Sequence, residues 1–193
     1  MNHLEFKEDI LSVPIWGIQI NDENSSFNQE LINFSYWLKD NTEGKQRSNK
    51  LGWQSTDSLF QEYADFLKPL IEPISNLSND IVKDHSERIK APVLVDSMWL
   101  NINPQHSYNA HHVHSGTLSG VYWISIPENS GRLVLVNPAG RSEASRIRVK
   151  NYGLTPTPGA CIIFPSWLEH YVEPNENTKD RLSISFNISE GTL

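Results

Sequence analysis

At Ala91-Pro92 the hydrophobic period of this chain changes, and the change limits what each half can fold into. From Val93 to Asn103, Ser97, Trp99, Asn101 and Asn103 alternate with Met98, Leu100 and Ile102, the period of a strand with one apolar and one polar face. Short strands are predicted to follow at 117–126, 132–136, 146–149, 160–164, 170–173 and 181–188. Turn-forming runs at Pro127–Gly131, Asn137–Gly140, Thr155–Gly159 and Pro174–Asp180 separate them. Before the change the period is helical. Phe27, Leu31, Phe34 and Leu38, with Ser25 or Ser26 as N-cap, predict a helix to about Lys39. Leu59, Phe60, Tyr63, Phe66, Leu67 and Leu70 predict a second, which Pro69 and Pro73 should kink or divide before it continues through Ile74, Leu77, Ile81 and Val82. Leu11–Ile20 reads as a first strand marked as an edge or start by Pro14, and 41–50 as a polar loop. Helices followed by seven or eight short strands predict a mainly β fold: an antiparallel jelly-roll barrel over about 91–190, buttressed on one outer face by the helices of about 1–90.

Nothing in the sequence cuts its 193 residues into two domains, and that length buries a core without staples. A net charge of −7 argues against a general affinity for nucleic-acid phosphates or anionic membranes. The local basic run Arg141, Arg146, Arg148 and Lys150 reads as a solvated hairpin edge. Cys161, the single cysteine, lies in the apolar stretch Gly159–Phe164 and behaves as a small hydrophobe. It permits no intrachain disulfide. Met1–Asp9 has no apolar stretch of signal-peptide length and no run of about 18 apolar residues occurs, so a soluble, cytoplasmic protein is expected. Six tryptophans leave room for an apolar homodimer interface.

Chemistry concentrates in one stretch. Four of the seven histidines lie between His106 and His114. In an extended strand His112 and His114 share a face while Val113 points away, so the pair can share a metal, and His170 is the other histidine of the C-terminal half able to complete a facial triad. The second feature is Arg181-Leu182-Ser183-Ile184-Ser185-Phe186-Asn187-Ile188, in which Arg181, Ser183, Ser185 and Asn187 share a face. A guanidinium inside a barrel is costly unless it meets an anion, and its fork matches a carboxylate, to which Ser183 can add a hydroxyl. The alternative is a sheet-surface arginine paired with solvent or Glu173.

Together these blocks resemble the 2-oxoglutarate and iron(II)-dependent oxygenases. The resemblance rests on Trp99–Asn103, Tyr108-Asn109 with His112-Val113-His114, Leu118–Trp123, Phe164–Leu168 with His170, and Arg181–Asn187, and covers roughly 93–188. More narrowly these blocks resemble a bacterial and phage family of such oxygenases, to which Gly52-Trp53-Gln54-Ser55 is also similar. It implies a double-stranded β-helix, iron(II) on His112 and His170, and 2-oxoglutarate anchored by Arg181 and Ser183. It also implies a hydroxylation of an unidentified small-molecule or side-chain substrate, coupled to decarboxylation of 2-oxoglutarate to succinate. Asn101, Asn103, Tyr122 and Trp123 are expected as further co-substrate or substrate contacts. The departure is His114, where the superfamily usually carries Asp or Glu. A working three-histidine site is the favoured outcome, against replacement of His114 by water or a distant carboxylate, or a silent relative. Glu169, adjacent to His170, should face away from the metal. Three rival readings stand beside this one. A three-histidine cupin-type thiol dioxygenase would want an acid within Ser115–Gly120, where there is none. A non-catalytic barrel would have kept the fold alone. A structural zinc site would want a fourth ligand.

Overall fold

The computed structural model describes residues 12–89, 92–138 and 151–191. Its elements are β1 (Trp16–Gln19), α1 (Ser26–Asn41), β2 (Asn49–Lys50), β3 (Trp53–Gln54), α2 (Leu59–Glu62), α3 (Ala64–His85), β4 (Val93–Asn103), β5 (Tyr108–His112), β6 (Leu118–Ser125), β7 (Leu133–Leu135), β8 (Tyr152–Leu154), β9 (Ala160–Pro165), β10 (His170–Val172) and β11 (Arg181–Glu190). The strands pair antiparallel into a six-stranded sheet, β1-β9-β6-β11-β4-β3, and a five-stranded sheet, β2-β5-β10-β7-β8. Two facing antiparallel sheets with helices on one outer side form the double-stranded β-helix expected from the change of period.

The faces follow from alternation. On the outer face of the large sheet, Met98, Leu100, Ile102, Tyr122, Ile184 and Phe186 join Leu31, Leu67, Leu70 and Ile74 of the helices in the main core. A smaller cluster inside the barrel joins Trp123 and Phe164 of the large sheet to Leu133 and Leu135 of the small one. Burying these side chains on both faces of one sheet, at roughly 1.5–3 kcal/mol each, is what fixes the register of β4, β6 and β11.

Of the two expected N-caps Ser25 is the one used: its Oγ accepts from the Asn28 N–H at 3.1 Å, and α1 begins at Ser26. Of the kink or division expected at Pro69 and Pro73, the division does not occur: α3 runs through both, and the break falls earlier, at Tyr63. The carbonyl that Pro69 leaves without a donor belongs to exposed Asp65, so water can satisfy it, while the opposite stripe stays buried. The loop expected over 41–50 contains β2, and β8 was not anticipated; these are short segments whose pairing partners lie far off in sequence. The strand expected at 146–149, the basic run from Arg141 to Lys150 and the N-terminal nine residues lie outside the described residues.

Tyr122 is not a co-substrate contact. Alternation along β6 turns it toward the helices, where it is fully buried and its hydroxyl donates to Asn28 Oδ1 at 3.0 Å. Asn28 in turn donates to the Ile124 carbonyl at 2.8 Å, tying α1 to the sheet. Tyr122→Phe is therefore expected to strip Asn28 Oδ1 of its donor and destabilise the fold by about 1–3 kcal/mol. A denaturant midpoint lowered at unchanged slope, with metal binding intact, is the expected reading; a loss of metal binding instead would put Tyr122 back in the site.

Candidate active site

His112 and His170 face each other directly across the β5–β10 pair. His114 lies two residues beyond the end of β5, where its backbone N–H donates to the Ser166 carbonyl at 3.0 Å. Extended geometry carries it back to the same side as His112, leaving Val113 exposed. The three ring centroids are 4.2–5.0 Å apart, and one ligating atom from each imidazole lies within 4.8 Å of the others. No carboxylate joins this cluster among the described residues. Glu169 faces outward and meets His111 Nδ1 at 3.0 Å, with the His111 ring stacked on Tyr171. Of the four clustered histidines, then, two are inside; His106 is exposed beside Glu176.

The tautomers suit metal binding. His112 Nδ1 lies 2.7 Å from the Ala110 carbonyl and His170 Nδ1 2.8 Å from the Leu168 carbonyl. Each Nδ1 must carry the proton it donates, which frees Nε2 as the ligand. Trp99 stands beside His114 and Phe164 presents an edge to His170. In this dry surrounding burial pushes all three imidazoles down from 6.5, His114 to about 4 and His170 to about 3, with repulsion between the rings adding to it.

The sign of the pH dependence follows. Because the folded values lie below the unfolded one, the unfolded chain binds protons first as pH falls. Stability of the metal-free protein is present in full above about pH 6.5 and drains away as pH drops from 6.5 toward 4. Thermal unfolding of the metal-free protein across that window is expected to show a falling Tm, and a flat Tm would mean that the three imidazoles are hydrated.

The other end of the same cavity is cationic. Arg181 opens β11 and is 3% exposed. Its Nη1 donates to the carbonyls of Ser130 and Glu173, and its Nη2 has no partner. The expected alternative partner, the Glu173 carboxylate, is taken instead by Arg132 through bonds of 2.7 and 2.9 Å. Burial lowers Arg181 to about 10, leaving it charged at neutral pH. Gly131, next to the Ser130 carbonyl, holds a left-handed φ of +85°, and a Cβ there would lie 2.4 Å from the Glu173 carbonyl oxygen. That turn is thus reserved for glycine.

The cavity between the two ends is lined by Ser183, Asn101, Asn103 and Trp123, among others, and by no Asp or Glu of the described residues. Asn101 pairs with Ser183, and Asn103 with Arg181, across β4–β11. Asn101 Nδ2 donates to Ser185 Oγ at 3.0 Å, and its buried Oδ1 is unpartnered. Sequence reading missed Phe164 against His170, although its strand was predicted. It also missed Ser48, whose Oγ lies 3.5 Å from His112 Nε2, and the carbonyl cradle of Arg181, for which side-chain identity carries no signal.

Residues 97–187 match the family described as "Putative 2OG-Fe(II) oxygenase". No curated protein sequence matches. Among solved structures, a prolyl-4-hydroxylase from Pseudomonas putida superposes with a TM-score of 0.68 at 13% identity, covering 93% of this chain and 95% of that one. The epimerase SnoN from nogalamycin biosynthesis, in complex with Fe3+, alpha ketoglutarate and nogalamycin RO, gives 0.75 at 12% identity, covering 93% and 80%. HygX from Streptomyces hygroscopicus, with nickel and 2-oxoglutarate bound, gives 0.62 at 9% identity, covering 94% and 84%. These likenesses carry the fold. The family match runs over most of the barrel and takes in the three histidines and Arg181.

Proposed function

We propose that the protein hydroxylates a carbon of its substrate while converting 2-oxoglutarate to succinate and carbon dioxide, with iron(II) on His112, His114 and His170. The observation that supports this best is a single acid-free cavity with three neutral imidazoles at one end and an unpartnered, buried guanidinium nitrogen at the other. Those donors fit the cofactors. Iron prefers imidazole nitrogen among its ligands, and a five-carbon diacid chelated at one end needs a cation for its far carboxylate. The orphaned Arg181 Nη2 fits the far carboxylate of 2-oxoglutarate, an anchor that a three-histidine thiol dioxygenase does not need for that co-substrate.

Bound iron with 2-oxoglutarate supplies the oxidising chemistry: one atom of dioxygen enters succinate and the other the substrate C–H bond. The chain supplies position and dryness. The Ala110 and Leu168 carbonyls hold His112 and His170 with Nε2 turned inward. Arg181, braced by two carbonyls, and Ser183 receive the far carboxylate, while Asn101 Oδ1 offers an acceptor nearby. Trp99, Trp123 and Phe164 exclude water from the cavity walls. With His114 in place of a carboxylate, the three ligands carry no negative charge, which tunes the metal toward a more positive centre. We place this activity in the cytoplasm, on a small-molecule or side-chain substrate and without nucleic acid. The net charge of −7 and the lack, among described residues, of any helix long and apolar enough to cross a membrane support that setting.

Anaerobic titration of metal-free protein with iron(II) and then 2-oxoglutarate tests the reading. A weak visible charge-transfer band, followed on admitting air by succinate formation, is the expected result. Iron binding without a band would redirect the assignment to a three-histidine dioxygenase or a silent relative, and absence of iron binding would sink it.

A further inference from the structure

A second chamber meets the same histidines without reaching Arg181. This open groove of about 340 Å³ shares Ser48, Trp99, His112 and His114 with the first cavity and adds Arg47, Gln54 and Asp57 to its wall. Most of its polar groups are already engaged. Asn187 accepts from Ser119 at 2.8 Å and donates to Ser97 at 2.9 Å, and Ser97 donates to Asp96 at 2.9 Å. Ser48 Oγ accepts from Asn109 at 3.2 Å, and Asp57 is held by Lys45 at 3.0 Å.

Two groups remain. Gln54 is 6% exposed, yet its side-chain amide has no hydrogen-bond partner among the described residues. It pairs with Asn101 across β3–β4, and since its neighbour Trp53 packs on the main core, Gln54 faces the groove. Its polar atoms are reached from the groove and not sealed off, which leaves the amide open to a ligand. Arg47 is exposed at the rim, and its guanidinium makes neither a hydrogen bond nor an ion pair among the described residues. Arg47 is the one Lys or Arg in the lining, and the lining's one carboxylate, Asp57, is bonded by Lys45 from outside it.

We propose that the substrate enters through this groove and is a monocarboxylate bearing an amide: Arg47 takes the carboxylate, Gln54 pairs with the amide edge, and Trp99 lines the apolar remainder beside His112 and His114. The assignment rests on the hydroxylase reading above for what happens next, but the binding itself does not need the metal. A single free guanidinium matches one carboxylate in a forked pair. A phosphate dianion would ask for a second cation, and Lys45 is already committed. An amide presents one donor and one acceptor in a plane, the complement of the Gln54 side chain.

The test uses N-acetyl-L-amino acids as free acids, their C-terminal carboxamides, and uridine 5′-monophosphate. Binding is read from NMR signals of the Trp99 indole N–H and the Gln54 side-chain amide, in metal-free protein and again with zinc(II) and 2-oxoglutarate. At least one free acid is expected to shift both signals and to bind about fivefold or more tightly than its carboxamide. Arg47→Ala should erase that preference and Arg47→Lys restore part of it. The proposal is overturned if no free acid moves the signals, if acid and carboxamide bind alike, if the preference survives in Arg47→Ala, or if the nucleotide binds in preference. A failure of the hydroxylase reading would show separately, in the iron titration, while the metal-free arm still reports on the groove.

Discussion

In His170→Ala, iron(II) binding is expected to weaken by at least about 100-fold, and succinate formation to disappear with it. His170 is the most enclosed of the three imidazoles, 4% exposed, and it sits directly across from His112 in the sheet. Its removal leaves two nitrogens on one side of the metal, too few for a facial site. The contrast is His111→Ala. That residue is one position from a ligand but lies outside, paired with Glu169 and stacked on Tyr171, so iron affinity should stay within about twofold, as for a surface substitution. Competition titration of both variants, with circular dichroism as the fold control, decides the matter. Equal loss in the two would mean that the region, and not the imidazole at 170, had been disturbed.

Arg181→Met should leave iron binding in place and weaken 2-oxoglutarate by about 2–5 kcal/mol, the range for truncating one partner of a buried charge pair. Methionine fills much of the arginine stem's volume, so the change removes the charge and the two bonds to the Ser130 and Glu173 carbonyls more than the packing. Arg181→Lys should fall between, since an ammonium restores the charge without the fork. Titration of the iron-loaded variants with 2-oxoglutarate, followed by the charge-transfer band, measures the ranking. An unchanged affinity in Arg181→Met would remove the co-substrate role of that end of the cavity.

Arg181 and the His112/His114 pair are legible in the chain through periodicity, whereas His170 is marked only as the remaining histidine of the C-terminal half. Two imidazoles spaced by one residue share a face in any extended backbone, and the alternation from Arg181 to Ile188 sends Arg181, Ser183 and Ser185 to the polar side whatever the sheet order. Val93–Asn103 was legible for the same reason, and its bounds coincide with β4. Tyr122 was misplaced because its stretch, Leu118-Ser119-Gly120-Val121-Tyr122-Trp123, is apolar on both faces. With helices covering one side and the cavity on the other, alternation alone does not say which side is which.

The sequence by itself determined the long elements, the two faces of each long strand and the residue types of the site, because those depend on neighbours one to four positions apart. Only the tertiary structure decided what crosses between distant segments. It brought His170 across from His112, gave Glu173 to Arg132 in place of Arg181, left Arg181 Nη2 and Asn101 Oδ1 without partners, and turned Gln54 to the groove. Register, carbonyl cradles and unmet hydrogen bonds are set by strand pairing and close packing between parts of the chain that share no local pattern.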